Sequence, residues 1–135
     1  MIDHLTTYAT DFDATKAFYD ATLPSLGYPL QVEMVTEWDP EFPTRRLVAY
    51  GPGSACFWIC EVRETDRATP RHMAFAAADR ESVEGFYANA LAAGGRDNGE
   101  PGPRPHYHKH YFGAFVLDPD GNNVEAVCRQ PSEPE

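Results

Sequence analysis

Three side chains in this 135-residue sequence could share a metal ion: His4 in IDHLTT, His72 in RHMAFA and Glu125 in NVEAVC. Two imidazoles and one carboxylate suit a divalent ion such as Zn, Ni, Mn or Fe(II). Three protein ligands also leave positions open for water or substrate. Glu125 is the most informative of the three. It stands inside an apolar run, and a buried carboxylate is rare unless paired or metal-bound. The competing reading is an exposed glutamate on the polar face of an alternating strand. A lone strand histidine is, likewise, more often an ordinary hydrogen-bonded residue than a ligand.

A second group of candidates lies just upstream of Glu125. PHYHKHYFG carries His106, His108 and His110 at alternating spacing. On a strand they would share one face. A second metal site, a substrate contact and a solvated polar loop all remain open. His108 or His110 is a candidate general base, because histidine titrates near neutral pH. Tyr111 precedes Phe115 by an even number of residues, so both could face one pocket and Tyr111 could orient a substrate oxygen. Phe57, Trp58 and Phe115 are candidate pocket walls, and Arg104 is a candidate partner for an anionic substrate group. Cys56, Cys60 and Cys128 form no disulfide or zinc pattern and read as small apolar residues.

These residues are positioned by a repeat. Shifted by 68 residues, HLTTYATDFDATKAFYDATLPSLG lies over HMAFAAADRESVEGFYANALAAGG without a gap. His4 meets His72, Asp11 meets Asp79, and Phe18–Tyr19 meets Phe86–Tyr87. The same shift pairs Cys60 with Cys128 and Phe57 with Glu125. Two related sheets would bring His4 and His72 towards one another. Each unit opens with a short alternating run, a strand. Asp11 or Asp13, and Asp79, are helix N-caps. Apolar residues then recur at helical spacing, Pro24 ends or kinks the first helix, and Gly27, Gly94 and Gly95 are C-terminal stops. Strands follow at 28–35, 45–51 and 55–62 in the first unit. The second gives an irregular stretch near 96–105, then strands at 110–118 and 123–129. EPGPRPHYHKH reads as a loop over a site or an approach to a strand. DPDGN is a turn, with Pro119 fixing φ and Gly121 free to take positive φ. Each unit therefore reads βαβββ, and the fold class is α+β. No linker-like segment separates the units, so one domain is expected over 1–129, with modules of about 1–67 and 68–129 and a flexible tail at 130–135.

Composition narrows the function. A formal net charge of −10 argues against nucleic acid and against an anionic membrane surface. No run is long and apolar enough to span a bilayer. MIDHLTTYATD has neither the basic nor the apolar region of a secretion signal. With three cysteines and no framework, reduced thiols and a cytoplasmic location are expected.

IDHLTTYATD with FYDATLPSLGY, RHMAFAAAD with FYANALAAGG, and above all FVLDPDGNNVEAV together resemble the vicinal oxygen chelate superfamily. This is the glyoxalase, bleomycin-resistance and extradiol-dioxygenase group, and the likeness spans about residues 2–129. The resemblance implies tandem βαβββ modules forming a half-open barrel around a divalent metal. It places the ligands on first and last strands, here His4, His72 and Glu125. It also implies a small vicinal-oxygen substrate, lyase, isomerase or dioxygenase chemistry, and a homodimer. The glyoxalase I branch has a fourth ligand, a glutamate, where this chain has Phe57 or, with a one-residue slip, Trp58. A three-ligand pattern is closer to the dioxygenase and fosfomycin-resistance branches. The rival expectation is a non-catalytic protein that binds a small molecule or antibiotic in the same cup.

Overall fold

The computed structural model describes residues 2–132, so positions 133–135 of the expected tail lie outside the described residues. The chain runs β1 (Leu5–Ala9), α1 (Phe12–Thr22), a 3-10 turn (Pro24–Leu26), β2 (Leu30–Val35), β3 (Arg46–Tyr50) and β4 (Phe57–Glu61). After a second 3-10 turn (Glu64–Asp66) come β5 (His72–Ala76), α2 (Arg80–Ala92), β6 (Arg96–Pro103), β7 (Phe112–Leu117) and β8 (Asn123–Cys128). The architecture is α+β, with two four-stranded mixed sheets ordered β1-β4-β3-β2 and β5-β8-β7-β6. Neither sheet closes on itself. In each, the first and last strands pair in parallel and the others pair antiparallel.

Local signals explain most boundaries. Asp11 and Asp79 cap the helices by accepting from the amides of Ala14 and Ser82; Asp13 lies inside α1. Pro24 lacks the N–H a longer helix would need and opens a 3-10 turn that ends at Gly27, φ 89°. The inner faces of both sheets meet the helices in one hydrophobic cluster that runs through both units. Phe57 of β4 packs edge-on against Phe75 of β5, with ring centroids 5.1 Å apart.

The DPDGN turn ties the units together. Asp118 is buried and accepts from the Tyr19 hydroxyl of α1 at 2.7 Å and the Asn122 side-chain amide at 2.8 Å. Asp120 accepts from the Thr10 hydroxyl at 2.7 Å, just beyond β1. Gly121, with φ 82°, makes the reversal.

Two expectations change. The irregular stretch near 96–105 is largely strand β6, with register shifts between Asp97 and Gly99 and between Gly99 and Gly102. It is the sheet's edge, where Pro101 and Pro103 need not donate to a ladder. The repeat also slips. Leu5 lies opposite Phe57, whereas Met73, 68 residues on from Leu5, lies opposite Val124, only 67 on from Phe57. The structural counterpart of Glu125 is therefore Trp58, not Phe57. Phe57 corresponds to Val124 and belongs to the core face.

Candidate metal centre

β5 and β8 run in parallel with His72 opposite Asn123 and Ala74 opposite Glu125. The side chains of His72 and Glu125 therefore point to the same face, away from the helix side that Met73 and Val124 fill. His72 Nε2 lies 3.1 Å from Glu125 Oε1. Glu125 is 2% exposed, while about half of the His72 side chain reaches solvent. The other carboxylate oxygen, Oε2, accepts a short hydrogen bond from the Tyr111 hydroxyl.

The tautomer follows from the backbone. His72 Nδ1 is 3.0 Å from the Asn123 carbonyl, which can only accept, so Nδ1 carries the hydrogen. In the neutral ring Nε2 then presents a bare lone pair to a carboxylate oxygen. Two lone pairs cannot face each other at this distance unless something positive lies between them. A proton shared by the pair would serve, and so would a metal ion. The separation suits two neighbouring donors on an ion with bonds of about 2.1 Å. A His Nε2 whose other nitrogen is anchored on a carbonyl is the usual form of a metal-binding histidine. The donor set fits a divalent metal.

Aromatic and cationic side chains pack around this pair. Phe115 stacks on the His72 ring with centroids 6.2 Å apart. The Arg104 guanidinium lies over the Phe115 ring, 5.5 Å from its centroid. Its hydrogen bonds go to the carbonyls of Gly102 and Glu100 at 2.8 Å, so Arg104 braces its own hairpin. The Tyr111 ring makes a T-shaped contact with Tyr107, centroids 5.1 Å apart, and lies under the Arg129 guanidinium at 5.0 Å. Burial and the bond to Glu125 push the Tyr111 hydroxyl up to about 12, so it holds its proton at neutral pH. Tyr111 is thus a donor in this site.

Gly113 is the member that sequence reasoning missed. A Cβ there would lie 3.1 Å from Glu125 Oε2 and 3.2 Å from the Tyr111 ring. The glycine leaves the space in which the hydroxyl meets the carboxylate. Its only sequence signal was a glycine inside a strand pattern, which marks a close approach.

The other candidates are dispersed. His106, His108 and His110 lie on a turned segment and share no strand face. The His108 Nδ1 accepts from the His110 amide at 3.2 Å, and the two rings are 6.1 Å apart. His4 bonds Asp3 through Nδ1 at 2.7 Å. With Cys56, Phe57, Ala74 and Phe75 it borders a separate pocket of about 280 Å³. Among the described residues, no three His, Cys, Asp or Glu side chains gather into a metal-binding set within the one chain. Of His4, His72 and Glu125, the structure brings His72 and Glu125 together and leaves His4 apart. Trp58, half-buried, pairs across the first sheet with Ala49.

Comparisons with known proteins agree with the fold. The profile described as Glyoxalase/Bleomycin resistance protein/Dioxygenase superfamily matches residues 1–126. The chain is similar to a glyoxalase/bleomycin resistance protein from Albidiferax ferrireducens T118, with 25% identity, 95% of this chain and 98% of that one covered, and a TM-score of 0.67. It shares its fold with a lactoylglutathione lyase from Agrobacterium tumefaciens, at 22% identity, with 95% and 92% covered and a TM-score of 0.64. It also matches a variant of glyoxalase I from Zea mays at 19% identity and a TM-score of 0.66, covering 93% of this chain and 46% of that longer one. No curated protein matches the sequence significantly. No helix among the described residues is long and apolar enough to cross a membrane.

Proposed function

The chain belongs to the Glyoxalase/Bleomycin resistance protein/Dioxygenase superfamily, and from that premise we propose that it is a metal-dependent enzyme acting on a small substrate with neighbouring oxygens. The observation that carries this reading is the 3.1 Å approach of His72 Nε2 to the buried Glu125, with Nδ1 anchored on a carbonyl. The ion, when bound, would polarise a substrate carbonyl or hydroxyl as a Lewis acid. The chain's own residues do the rest. His72 and Glu125 hold the ion, and Tyr111 and Gly113 fix the carboxylate. Phe115 keeps the imidazole in plane and offers a wall to the substrate. His108 or His110, on the turn that leads into Tyr111, moves the substrate proton. Lyase, isomerase and dioxygenase chemistry all fit a centre of this kind.

The third ligand is His4 from a second copy of the chain. The support is that His4 lies apart from the His72–Glu125 pair in its own chain, and that an open divalent site needs about three protein ligands. A homodimer would bring the first sheet of one copy, with His4 and Trp58, over the second sheet of the other.

The test is to load the purified protein separately with Zn, Ni, Mn and Fe(II). Turnover is then measured on a 2-oxoaldehyde–thiol adduct and, by oxygen uptake, on a catechol. Turnover that disappears in Glu125→Gln supports the enzyme. No turnover with any ion, together with saturable binding of an aromatic compound, supports a non-catalytic binding protein.

A further inference from the structure

The Arg104 guanidinium is engaged by the carbonyls of Gly102 and Glu100, inside its own hairpin. A different arginine shares a side chain with the His72–Glu125 pair. β7 and β8 pair with Phe112 opposite Cys128, so the next positions out, Tyr111 and Arg129, face each other across the strands. The Arg129 guanidinium lies over the Tyr111 ring, 5.0 Å from its centroid. The hydroxyl at the tip of that ring is the donor to Glu125 Oε2. Arg129 is also four residues beyond Glu125, and strand alternation carried one residue past β8 puts both on one face. A single phenol ring thus separates Arg129 from the carboxylate.

Arg129 is exposed and its hydrogen-bonding capacity is open. Its contact among the described residues is the Tyr111 ring, and none of their carboxylates or carbonyls takes its N–H groups. Arg46 and Arg67, by contrast, meet carboxylates at 2.8 and 2.9 Å. An aromatic face attracts the charge of a guanidinium but is a poor acceptor for its fork of N–H donors. The flanking sequence points the same way. From Pro101 to Leu117 the chain holds Arg104, Lys109 and three histidines and no acid, and from Gly121 to Ser132 the sole acid is Glu125. In a chain of net charge −10, this stretch is locally basic.

We propose that Arg129 sets the substrate class: the substrate carries a carboxylate about one aromatic ring away from the two neighbouring oxygens that reach the metal. This inference rests on the metal-dependent reading of the His72–Glu125 pair. The carboxylate takes two N–H donors of the Arg129 fork side by side. A cationic molecule of the same shape meets a like charge there, and a neutral one leaves the fork unfilled.

The experiment is calorimetric titration of the zinc-loaded full chain at low salt with three hydroxamates, whose two adjacent oxygens imitate a vicinal-oxygen substrate. The probes are benzohydroxamate, 4-carboxybenzohydroxamate and 4-(aminomethyl)benzohydroxamate. The carboxylated probe should bind roughly fivefold tighter than benzohydroxamate, the upper scale of an exposed ion pair, and the ammonium probe should bind more weakly than both. The gain should shrink as salt is added. Arg129→Gln should bring the carboxylated probe level with benzohydroxamate. Arg129→Lys keeps the charge without the fork and should retain part of the gain. If benzohydroxamate binds and the carboxylate adds nothing, or if the gain survives in Arg129→Gln, this inference falls and the metal-dependent reading stands. If the chain takes up no zinc, or no hydroxamate binds the zinc-loaded chain, that reading falls and this inference with it.

Discussion

Glu125 is a buried carboxylate with two partners, and each partner can be removed alone. Tyr111→Phe takes away the donor to Oε2 while keeping the ring against Tyr107 and Arg129. Groups that orient a metal ligand typically account for about 10–100-fold in affinity. Chelator competition on Tyr111→Phe should show a loss of that order. Gly113→Ala should act in the same direction, because its Cβ would arrive 3.1 Å from Oε2 and force the carboxylate or the phenol aside. A pH effect follows from the Tyr111 hydroxyl, raised from the ordinary value of 10.0 to about 12. A raised tyrosine keeps its proton longer in the folded chain than in the unfolded one. Its share of stability is therefore complete below about pH 10 and is lost as pH rises towards about 12. The fall of Tm with pH across that window should be shallower in Tyr111→Phe than in the parent. Residue identity made Glu125 and His72 legible in the sequence, since a carboxylate in an apolar strand and a repeated histidine both ask for a cause. The bond from Tyr111 to Glu125 was not legible. It depends on which oxygen a side chain reaches across two strands, and on a glycine whose reason is spatial.

At the level of elements, the DPDGN turn does more than reverse the chain. Asp118 accepts from the Tyr19 hydroxyl, the Asn122 side chain and the amides of Asp120 and Asn122. Asp118→Ala leaves several donors at a buried site unpaired, and a loss of about 2–4 kcal/mol is expected in denaturant unfolding. Tyr19→Phe removes one of those donors only and should cost about 1–2 kcal/mol. Helices, caps and most strands could be read from periodicity and from Asp, Pro and Gly at their usual stations. β6 resisted that reading because Gly99, Pro101, Gly102 and Pro103 are loop residues by local preference. Pairing with β7 at a sheet edge overrides that preference, and the bulges absorb the mismatch. The sequence left Phe57 and Trp58 both open as the counterpart of Glu125. An ungapped alignment carries no register, so only the strand pairing shows that Trp58 stands where Glu125 stands in the second unit.

For the whole molecule, the proposed metal centre raises the question of where a third ligand would come from. Within one chain, His4 and the His72–Glu125 pair do not meet. If His4 is supplied by a second copy, then His4→Ala and Glu125→Ala chains should each fail to bind metal as homodimers. A heterodimer of the two, isolated through different affinity tags, has one intact site and should hold one metal per dimer. Failure of the heterodimer to recover metal would place all ligands within one chain. The repeat and the α+β class were legible at this scale, because duplicated patterns survive in sequence. The way the two units face each other was not, since that is decided by contacts such as Phe57 on Phe75 and Tyr19 on Asp118, far apart along the chain.

The most direct measurement is the metal content of the protein purified without chelator, by elemental analysis, beside His72→Ala and Glu125→Ala. The metal-dependent reading predicts close to one divalent ion per chain in the parent and loss of it in both variants, with folding retained. A parent that binds no metal after exposure to Zn, Ni, Mn and Fe(II), or variants that keep their metal, would contradict it. The approach of His72 to Glu125 would then be a proton-sharing pair and nothing more.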